Sequence, residues 1–393
     1  MYQKRGQPKE YSGFFGKNRL WVAVCTLIGT TVGAGILGIP YVIAKTGIVY
    51  GLILLLLIGT AYIFINLFVG EIVLRTKEQH QLVGYVGKYL GTWGKRIMCL
   101  SILIVSYGAL TAYLIGVGAT LHSIFKIGFP LLYSLIFFVL TFYIVYKGIK
   151  ATGKAELILI SLLFLIVLVI GFLSIGKIDV LNFKPHDIGK IFLPYGVIVF
   201  AFLGLPSIPE LQEELGKQKK KMKKAIIIGS VIPIILYILF SVVIIGIVGL
   251  NNFELLEPNE RIATIALSMY SYPVLGILAN TLAILAMLTS FLTIGIALVC
   301  TFQYDYKFSN LTSLFLTFSL PLLIVLFDFT SFISILGLTG AIAGGLSGIL
   351  IIFTYWKAKL LGNRKPEYSI GKNKILALIL ILMFVFGIII QFW

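Results

Sequence analysis

Residues 29–40 read Gly-Thr-Thr-Val-Gly-Ala-Gly-Ile-Leu-Gly-Ile-Pro and lie inside an apolar stretch that covers residues 20–44. A helix of that length crosses the hydrocarbon core of a membrane, which is about 30 Å thick. Four glycines and one proline within twelve residues disfavour a continuous helix, because glycine is conformationally free and proline lacks an amide donor. The sequence therefore predicts a membrane span that is broken near its middle.

A second apolar stretch, residues 191–209, carries a similar interruption. Residues 200–210 read Phe-Ala-Phe-Leu-Gly-Leu-Pro-Ser-Ile-Pro-Glu. Five spans separate the two interruptions, and because five is odd the second set of five helices inserts upside down. Paired interruptions in inverted halves predict a binding site at the middle of the bilayer. The alternative for the first stretch alone is a close helix contact through Gly29 and Gly33.

Apolar stretches of this length recur along the whole 393-residue chain, which is 59% hydrophobic and 12% charged. A soluble domain of this size cannot bury that much apolar surface. The sequence therefore predicts an all-α polytopic membrane protein, since lipid offers the backbone no hydrogen-bond partners. The eleven predicted spans are residues 20–44, 48–74, 97–124, 129–146, 155–175, 191–209, 225–250, 272–302, 311–327, 332–356 and 375–393.

The distribution of positive charge predicts the orientation of these spans. Of the 32 Lys and Arg residues, 26 fall on one side of the predicted membrane. Cytoplasmic loops carry such an excess, so we expect a multi-pass plasma membrane protein with a cytoplasmic N-terminus and an external C-terminus. The same asymmetry accounts for the net charge of +17 better than a nucleic-acid partner does. The remaining six cations are Lys45, Lys126, Lys177, Lys184, Lys190 and Arg261.

Two connecting segments have helical patterns of their own. Residues 85–93, on the predicted cytoplasmic side, suit a short interfacial helix. Residues 257–270, on the outer side, carry Ile262, Ile265, Ala266 and Met269 at helical spacing. That pattern suits a lid over an entrance, and an ordinary amphipathic connector is the alternative for both segments.

The interrupted spans carry specific recognition chemistry. The N-terminus of a half-helix presents free amides and a positive dipole end, which bind a carboxylate. The C-terminus of the opposing half presents free carbonyls, which accept from an ammonium group or coordinate a cation. Because no charged residue lies near the middle of spans one, three, six, eight or ten, we expect a zwitterionic substrate with an uncharged side chain.

Other classes of function fit the residues less well. A membrane-embedded enzyme needs a catalytic motif at depth, and Glu78-Gln79-His80 is no such motif. The three cysteines and three histidines show no disulfide or zinc spacing. A channel needs rings of polar residues along a pore. A sensor of amino acids built on a transporter fold, or an exchanger without ion coupling, remains as the alternative to a transporter.

At these residues the sequence resembles the amino acid–polyamine–organocation superfamily, and most of all the aromatic and hydroxy amino acid permeases with their amino acid/auxin permease relatives. The similar strings are GTTVGAGILGIPY in the first span, YGALTAYLIGVG in the third, FAFLGLPSIPELQEEL in the sixth and LTSFLTIGIALVCTFQYD in the eighth. The resemblance implies a LeuT-type fold with alternating access. Residues 20–175 would form the first five-helix repeat, residues 191–356 the inverted second repeat, and residues 375–393 an extra helix.

The resemblance also implies substrate contacts. In the first span, Gly33, Ala34 and Gly35 would bind the substrate carboxylate through their amides, with Thr30 and Thr31 beside it. In the sixth span, Phe200 would gate the site, and Ala201 and Gly204 would offer backbone groups. Tyr107 or Tyr113 of the third span would close another wall. The candidate walls, which also include Phe202, are uncharged, so we expect neutral, apolar or aromatic amino acids as substrates.

The resemblance further implies a site for a coupling ion. In sodium-coupled members of this fold a Thr-Ser pair in the eighth span, here Thr289 and Ser290, joins first-span carbonyls to hold Na⁺. The matching carbonyls are those of Gly29 and Val32, with Ala286 of the eighth span completing the set. Oxygen ligands suit a hard cation, although such hydroxyls also commonly bond their own helix. Protons remain the alternative coupling ion, with Glu210 or Glu71 as carrier, and no other cofactor is expected.

Overall fold

The computed structural model of the protein describes residues 18–147, 158, 162, 165–166, 169–183, 190, 192–304, 306–371 and 373–391. Regular structure over these residues is helical. Of the 21 residues in the predicted fifth span, residues 155–175, ten lie outside the described residues. We call the side that holds residues 217–224 the inner side and the opposite side the outer side, following the charge-based prediction.

The first half of the chain begins with a broken span. Helices α1 (Arg19–Thr31) and α2 (Gly35–Thr46) meet at a bend of 57°. The helices that follow are α3 (Ile48–Arg75), α4 (Leu82–Phe125) and α5 (Pro130–Tyr146). Helix α4 starts well before the predicted third span, because the helix predicted over residues 85–93 continues into it through Gly91. This glycine has a φ of 75°, a backbone conformation that favours glycine.

The second half repeats the pattern. Its broken span consists of α6 (Tyr195–Ala201), a 3-10 turn at Leu205–Ser207 and α7 (Ile208–Leu215). A π-helical turn, Gly340–Gly344, joins two of the later helices, α12 and α13. The helices after the broken span are α8 (Met222–Leu255), α9 (Ala263–Tyr270), α10 (Pro273–Tyr304), α11 (Asn310–Leu326), α12 (Phe332–Thr339), α13 (Gly345–Leu361) and α14 (Lys374–Ile390).

Several of these helices suit a membrane by length and composition. Helices α3, α4 and α10, and the continuous segment Phe332–Leu361, are each long and apolar enough to cross a bilayer. Large apolar side chains are exposed along these helices, as at Leu57 and Ile97. An apolar exterior is what a lipid environment requires, so the composition and the surface agree.

The helices form two packed groups. In the first, α1 packs against α7 and α8, α2 packs against α6 and α8, and α3 packs against α8. In the second, α4 packs against α5, α10 and α11. Span ten, made of α12 and α13, contacts α3, α4 and α6 and so bridges the groups. Each half of one broken span pairs with the opposite half of the other, as two inverted repeats require.

Helix α9 covers the outer side of this arrangement. It packs against α2, α8 and α10. Ile262, Ile265 and Ala266 are fully buried, as the helical spacing predicted, but Met269 is 46% exposed. The buried face of α9 turns through Ala263 and Leu267 instead.

A buried carboxylate fixes the inner end of the bundle. Glu71 of α3 is fully buried, with Arg75 Nε 2.8 Å away and Lys359 Nζ 3.6 Å away. It also accepts hydrogen bonds from the Ser369 hydroxyl (2.9 Å) and the Ile370 amide (2.6 Å). The loop between spans ten and eleven is thereby tied to the end of α3, and Glu71 pairs with basic residues of the inner side.

Candidate functional site

The break in the first span is shorter than the glycine-rich stretch that predicts it. Val32 has a φ of −84° and a ψ of 84°, which leaves the helical region. The Gly33 amide donates to the Thr31 carbonyl at 3.1 Å, so the i to i−4 ladder ends there. Helix α2 begins again at Gly35 and contains Pro40. Only Val32, Gly33 and Ala34 lie between the two half-helices.

The break in the sixth span has a different form. The Leu203 amide donates to the Phe200 carbonyl at 3.1 Å, and the Gly204 amide donates to the Phe202 carbonyl at 2.8 Å. The Ser207 hydroxyl then donates to the Gly204 carbonyl at 2.8 Å. The chain therefore leaves α6 through tight turns rather than through a fully extended segment.

The two breaks lie against each other. A Cβ built on Gly35 would come within 2.6 Å of the Ala201 Cα atom, so this contact accepts only glycine. A Cβ on Gly204 would collide with the Thr31 hydroxyl in the same way. The glycines at these two positions therefore let the half-helices of both repeats meet at one point.

Tyr237 of α8 joins the two breaks. Its hydroxyl lies 3.0 Å from the Thr31 carbonyl oxygen and 2.8 Å from the Ala201 carbonyl oxygen, and its side chain is fully buried. Thr31 and Ala201 are the last residues of α1 and α6, whose final carbonyls lack intrahelical donors. The residue pattern of the seventh span gave no signal for this role, which depends on a contact between three distant segments.

Gly33 faces a pair of hydroxyl groups. A Cβ built on Gly33 would lie 3.6 Å from the Tyr113 hydroxyl oxygen and 4.0 Å from Ser290 Oγ. Both are ordinary van der Waals distances, so a methyl group would fit beside the Gly33 backbone without a clash. The Tyr113 hydroxyl interacts with that of Ser290. The first break, the third span and the eighth span therefore meet at Gly33.

The structure distinguishes the two tyrosines of the third span that the sequence left open. Tyr113 is buried next to Gly33. Tyr107 instead donates its hydroxyl to the Leu316 carbonyl of α11 at 2.9 Å. The two side chains point to different neighbours because six residues of helix separate them, so only Tyr113 is brought to the break.

The two phenylalanines of the sixth span have separate surroundings. The backbone of Phe200 lies against Gly340 in the π-helical turn, where a Cβ would come within 2.6 Å of the Phe200 amide nitrogen. The Phe202 ring stacks on Tyr62 at a centroid distance of 6.2 Å and also contacts Tyr237. The Phe202 side chain therefore points toward the second span and away from Gly33.

The two threonines of the first span also differ. Thr31 is buried and donates to the Leu27 carbonyl at 2.7 Å. Thr30 is exposed and donates to the Thr26 carbonyl at 2.9 Å. Both hydroxyls are used within α1, and of the two side chains only that of Thr31 reaches the contact between the breaks.

The structure brings together part of the set of oxygen ligands that the resemblance implies for a cation. Ser290 lies next to the first break, as described for Gly33, and Val32 is the residue at which the helical ladder ends. The Thr289 hydroxyl bonds the Leu285 and Ala286 carbonyls, each at 3.1 Å, which is the alternative that the sequence left open for this hydroxyl. All these groups are hard oxygen ligands, so the residues present fit a sodium ion.

A carboxylate that the sequence did not single out lies on the inner side of the breaks. Glu214 of α7 accepts a hydrogen bond from Thr26 of α1 at 2.9 Å, and Arg19 approaches the Glu214 carbonyl at 3.4 Å. Glu214 is almost fully buried. It connects the inner halves of the two broken spans, while the walls next to Gly33 are formed by uncharged residues.

Comparisons with known proteins agree with this geometry. The sequence profile of the tryptophan/tyrosine permease family matches residues 16–391. The tyrosine-specific transport system 1 of Haemophilus influenzae is 28% identical over 377 residues, which cover 90% of this chain and 92% of that protein. The glutamine transporter 2 of Aliivibrio fischeri is 27% identical over 339 residues, or 82% of this chain and 85% of that protein.

A solved structure supports the fold. The crystal structure of MhsT in complex with L-phenylalanine superposes with a TM-score of 0.67 at 17% identity, and the match covers 94% of this chain and 97% of that one. Since MhsT has the LeuT fold, the prediction of a LeuT-type arrangement is confirmed.

Proposed function

Because the chain belongs to the tryptophan/tyrosine permease family, it is an amino acid permease of the membrane rather than an enzyme, and we propose that it transports neutral, apolar or aromatic amino acids by alternating access. The observation that carries the proposal is the contact between the two breaks, next to which the Tyr113 and Ser290 hydroxyls face the Gly33 backbone. Free amides after Gly33 suit the carboxylate of an amino acid, and the carbonyls in the last turn of α1 suit its ammonium group.

The walls of this space support an uncharged substrate side chain. Tyr113 and Ser290 face Gly33, and neither carries a charge. A charged side chain would lose its hydration there without gaining a partner, which is costly in a membrane interior. Two relatives are described as transporters of tyrosine and of glutamine, and both of these amino acids have uncharged side chains.

We propose Na⁺ as the coupling ion, held by the carbonyls of Gly29, Val32 and Ala286 and the hydroxyls of Thr289 and Ser290. Support comes from the position of Ser290 next to the first break. A cation at this point would offset the partial negative charge at the C-terminal end of α1. Coupling to protons and exchange without an ion are the alternatives that the experiment must separate.

The test is uptake by the purified protein in lipid vesicles. Labelled phenylalanine, tyrosine, leucine, glutamine, lysine and glutamate are supplied with a sodium gradient, a pH gradient, both or neither. We expect sodium-dependent uptake of one or more of the first four. Preferred uptake of lysine or glutamate would overturn the uncharged site, and uptake that ignores sodium would overturn the proposed coupling ion.

A further inference from the structure

Two cations on the outer side share one tyrosine. Lys45 lies in the last turn of α2, and its Nζ is 3.3 Å from the Tyr41 hydroxyl oxygen. Arg261 precedes α9, and its Nη1 is 3.2 Å from the same oxygen. The Arg261 guanidinium also lies over the Tyr41 ring, 5.2 Å from its centroid. One cation thus comes from the first span and the other from the segment that leads into the covering helix.

Among the described residues, neither cation has a counter-charge. Across the part of the chain that the structure describes, neither Lys45 nor Arg261 has a carboxylate oxygen within 4.0 Å. Their common neighbour is a hydroxyl group of a buried tyrosine. Two like charges that converge on a neutral oxygen repel each other, and an anion placed between them relieves that repulsion.

Donor groups remain available at both residues. A guanidinium has five N–H groups and an ammonium has three. Arg261 uses Nε on the Leu256 carbonyl at 3.0 Å and Nη1 on Tyr41, and among the described residues Lys45 bonds Tyr41. Both side chains are partly exposed. The unused donors are therefore reachable from water and match the two oxygens of a carboxylate.

The two cations lie on the outer side of the proposed path. Helix α2 runs from the first break, at Gly35, to the outer side, where Lys45 lies in its last turn. Cations are scarce on this side, since only six of the 32 fall there by sequence, yet two of them converge on Tyr41. The other feature that can bind a carboxylate is the pair of helix dipoles at the breaks. These dipoles lie deeper in the protein, at the far end of α2 from Lys45.

We propose that Lys45 and Arg261 form an outer docking site for the carboxylate of the incoming amino acid, which binds there before it reaches the breaks. The inference rests on the proposed function, because it assigns the occupant as the transported substrate. The same two charges repel an amino acid with a cationic side chain. Lysine and arginine are thus rejected at the entrance as well as at the central site.

The test compares uptake kinetics of three variants in lipid vesicles. In the double variant Lys45→Gln/Arg261→Gln, kcat/KM for the best substrate should fall at least about tenfold, the factor that one charge-assisted hydrogen bond is worth. The saturating rate should change less than twofold. Lys126→Gln, which removes another outer cation, is the matched control and should leave both constants unchanged.

Tyr41→Phe separates docking from a purely structural contact. It removes the shared hydroxyl but keeps both cations, so a docking site retains its kcat/KM. A fall in Tyr41→Phe equal to that of the double variant would overturn the proposal in favour of a latch. The wild type gives a measure that needs no variant: kcat/KM should fall as inert salt rises at fixed sodium, because salt screens exposed charges.

The outcomes distinguish this inference from the proposed function. If the wild type takes up no amino acid at all, the proposed function fails. If it takes up amino acids and the double variant keeps its kcat/KM, or if the wild-type kcat/KM ignores salt, only the docking site is refuted. A requirement for chloride that the double variant abolishes, with kcat/KM for the substrate unchanged, would assign the two cations to an inorganic anion instead.

Discussion

Gly35 lies so close to Ala201 that a Cβ on the glycine would be 2.6 Å from the Ala201 Cα atom. Gly33, two residues earlier, has instead ordinary contact distances to Tyr113 and Ser290. One glycine therefore serves the contact between the repeats, and the other faces the Tyr113 and Ser290 hydroxyls without a clash. The pair lets experiments separate assembly from binding.

We expect Gly33→Ala and Gly35→Ala to fail in different ways. The methyl group of Gly33→Ala fits without a clash, so the protein should fold and insert normally but should bind substrate poorly, because the methyl group occupies the space next to the amides. Gly35→Ala forces two backbones apart and should destabilise the protein by about 1–3 kcal/mol, as overpacking does. Yield, melting temperature in detergent and substrate binding check both. A Gly33→Ala protein with unchanged affinity would contradict the proposed site.

Tyr237→Phe should destabilise the junction of the breaks. It removes the donor that serves two buried carbonyls, and an unsatisfied buried group costs about 1–3 kcal/mol. The matched control is Tyr62→Phe, because Tyr62 is equally buried and its hydroxyl has no hydrogen-bond partner among the described residues. Thermal melting should show a clear loss for Tyr237→Phe and little for Tyr62→Phe. Equal melting temperatures would mean that the Tyr237 hydroxyl does not hold the two ends.

Tyr113→Phe and Tyr107→Phe should separate the two tyrosines of the third span. The first loses the hydroxyl that faces Gly33 and Ser290, so the KM for uptake should rise about tenfold, the value of one lost hydrogen bond near a charged group. The second loses only a bond to the Leu316 carbonyl and should keep its KM. Concentration series of uptake measure both. A larger rise for Tyr107→Phe would place the substrate elsewhere.

Thr289→Ala/Ser290→Ala tests the coupling ion. If these hydroxyls hold Na⁺, the double variant should need a higher sodium concentration for half-maximal uptake. The half-helix ends that bind substrate are untouched. Thr293→Ala, one turn further along α10 and bonded to the Thr289 carbonyl at 2.9 Å, is the control and should keep the wild-type sodium response. Uptake that follows pH instead, with the response lost in Glu210→Gln, would support proton coupling.

Glu71→Gln should weaken the inner end of the bundle. It keeps the shape of the side chain but leaves Lys359, only 8% exposed, without its counter-charge. Removing one partner of a buried ion pair costs about 3–5 kcal/mol. The control is Glu78→Gln, since Glu78 is 55% exposed. A hydrogen bond from Lys88 lowers the pKa of Glu78 to about 2, so the Glu78 carboxylate is ionised in any neutral buffer. Melting curves should shift for Glu71→Gln alone.

The sequence predicted the helices and both breaks well, because these features depend on local composition. Apolar length alone defines a span in lipid, and Gly with Pro marks the places where a helix ends or bends. The extent of the first break was harder to predict. Gly38 and Pro40 stay helical within α2, since packing of α2 against α6 and α8 overrides their weak helical preference.

The sequence by itself therefore determined the helical class of the fold, the two interrupted helices and the uncharged character of the middle of the membrane. Only the tertiary structure decided which side chains reach the breaks. Tyr113 and not Tyr107 faces Gly33, Tyr237 joins the two half-helix ends, and Lys45 and Arg261 converge on Tyr41. Each of these contacts except that of Lys45 joins residues far apart in the chain, and helical periodicity sets the face of a residue but not the neighbour that the face meets.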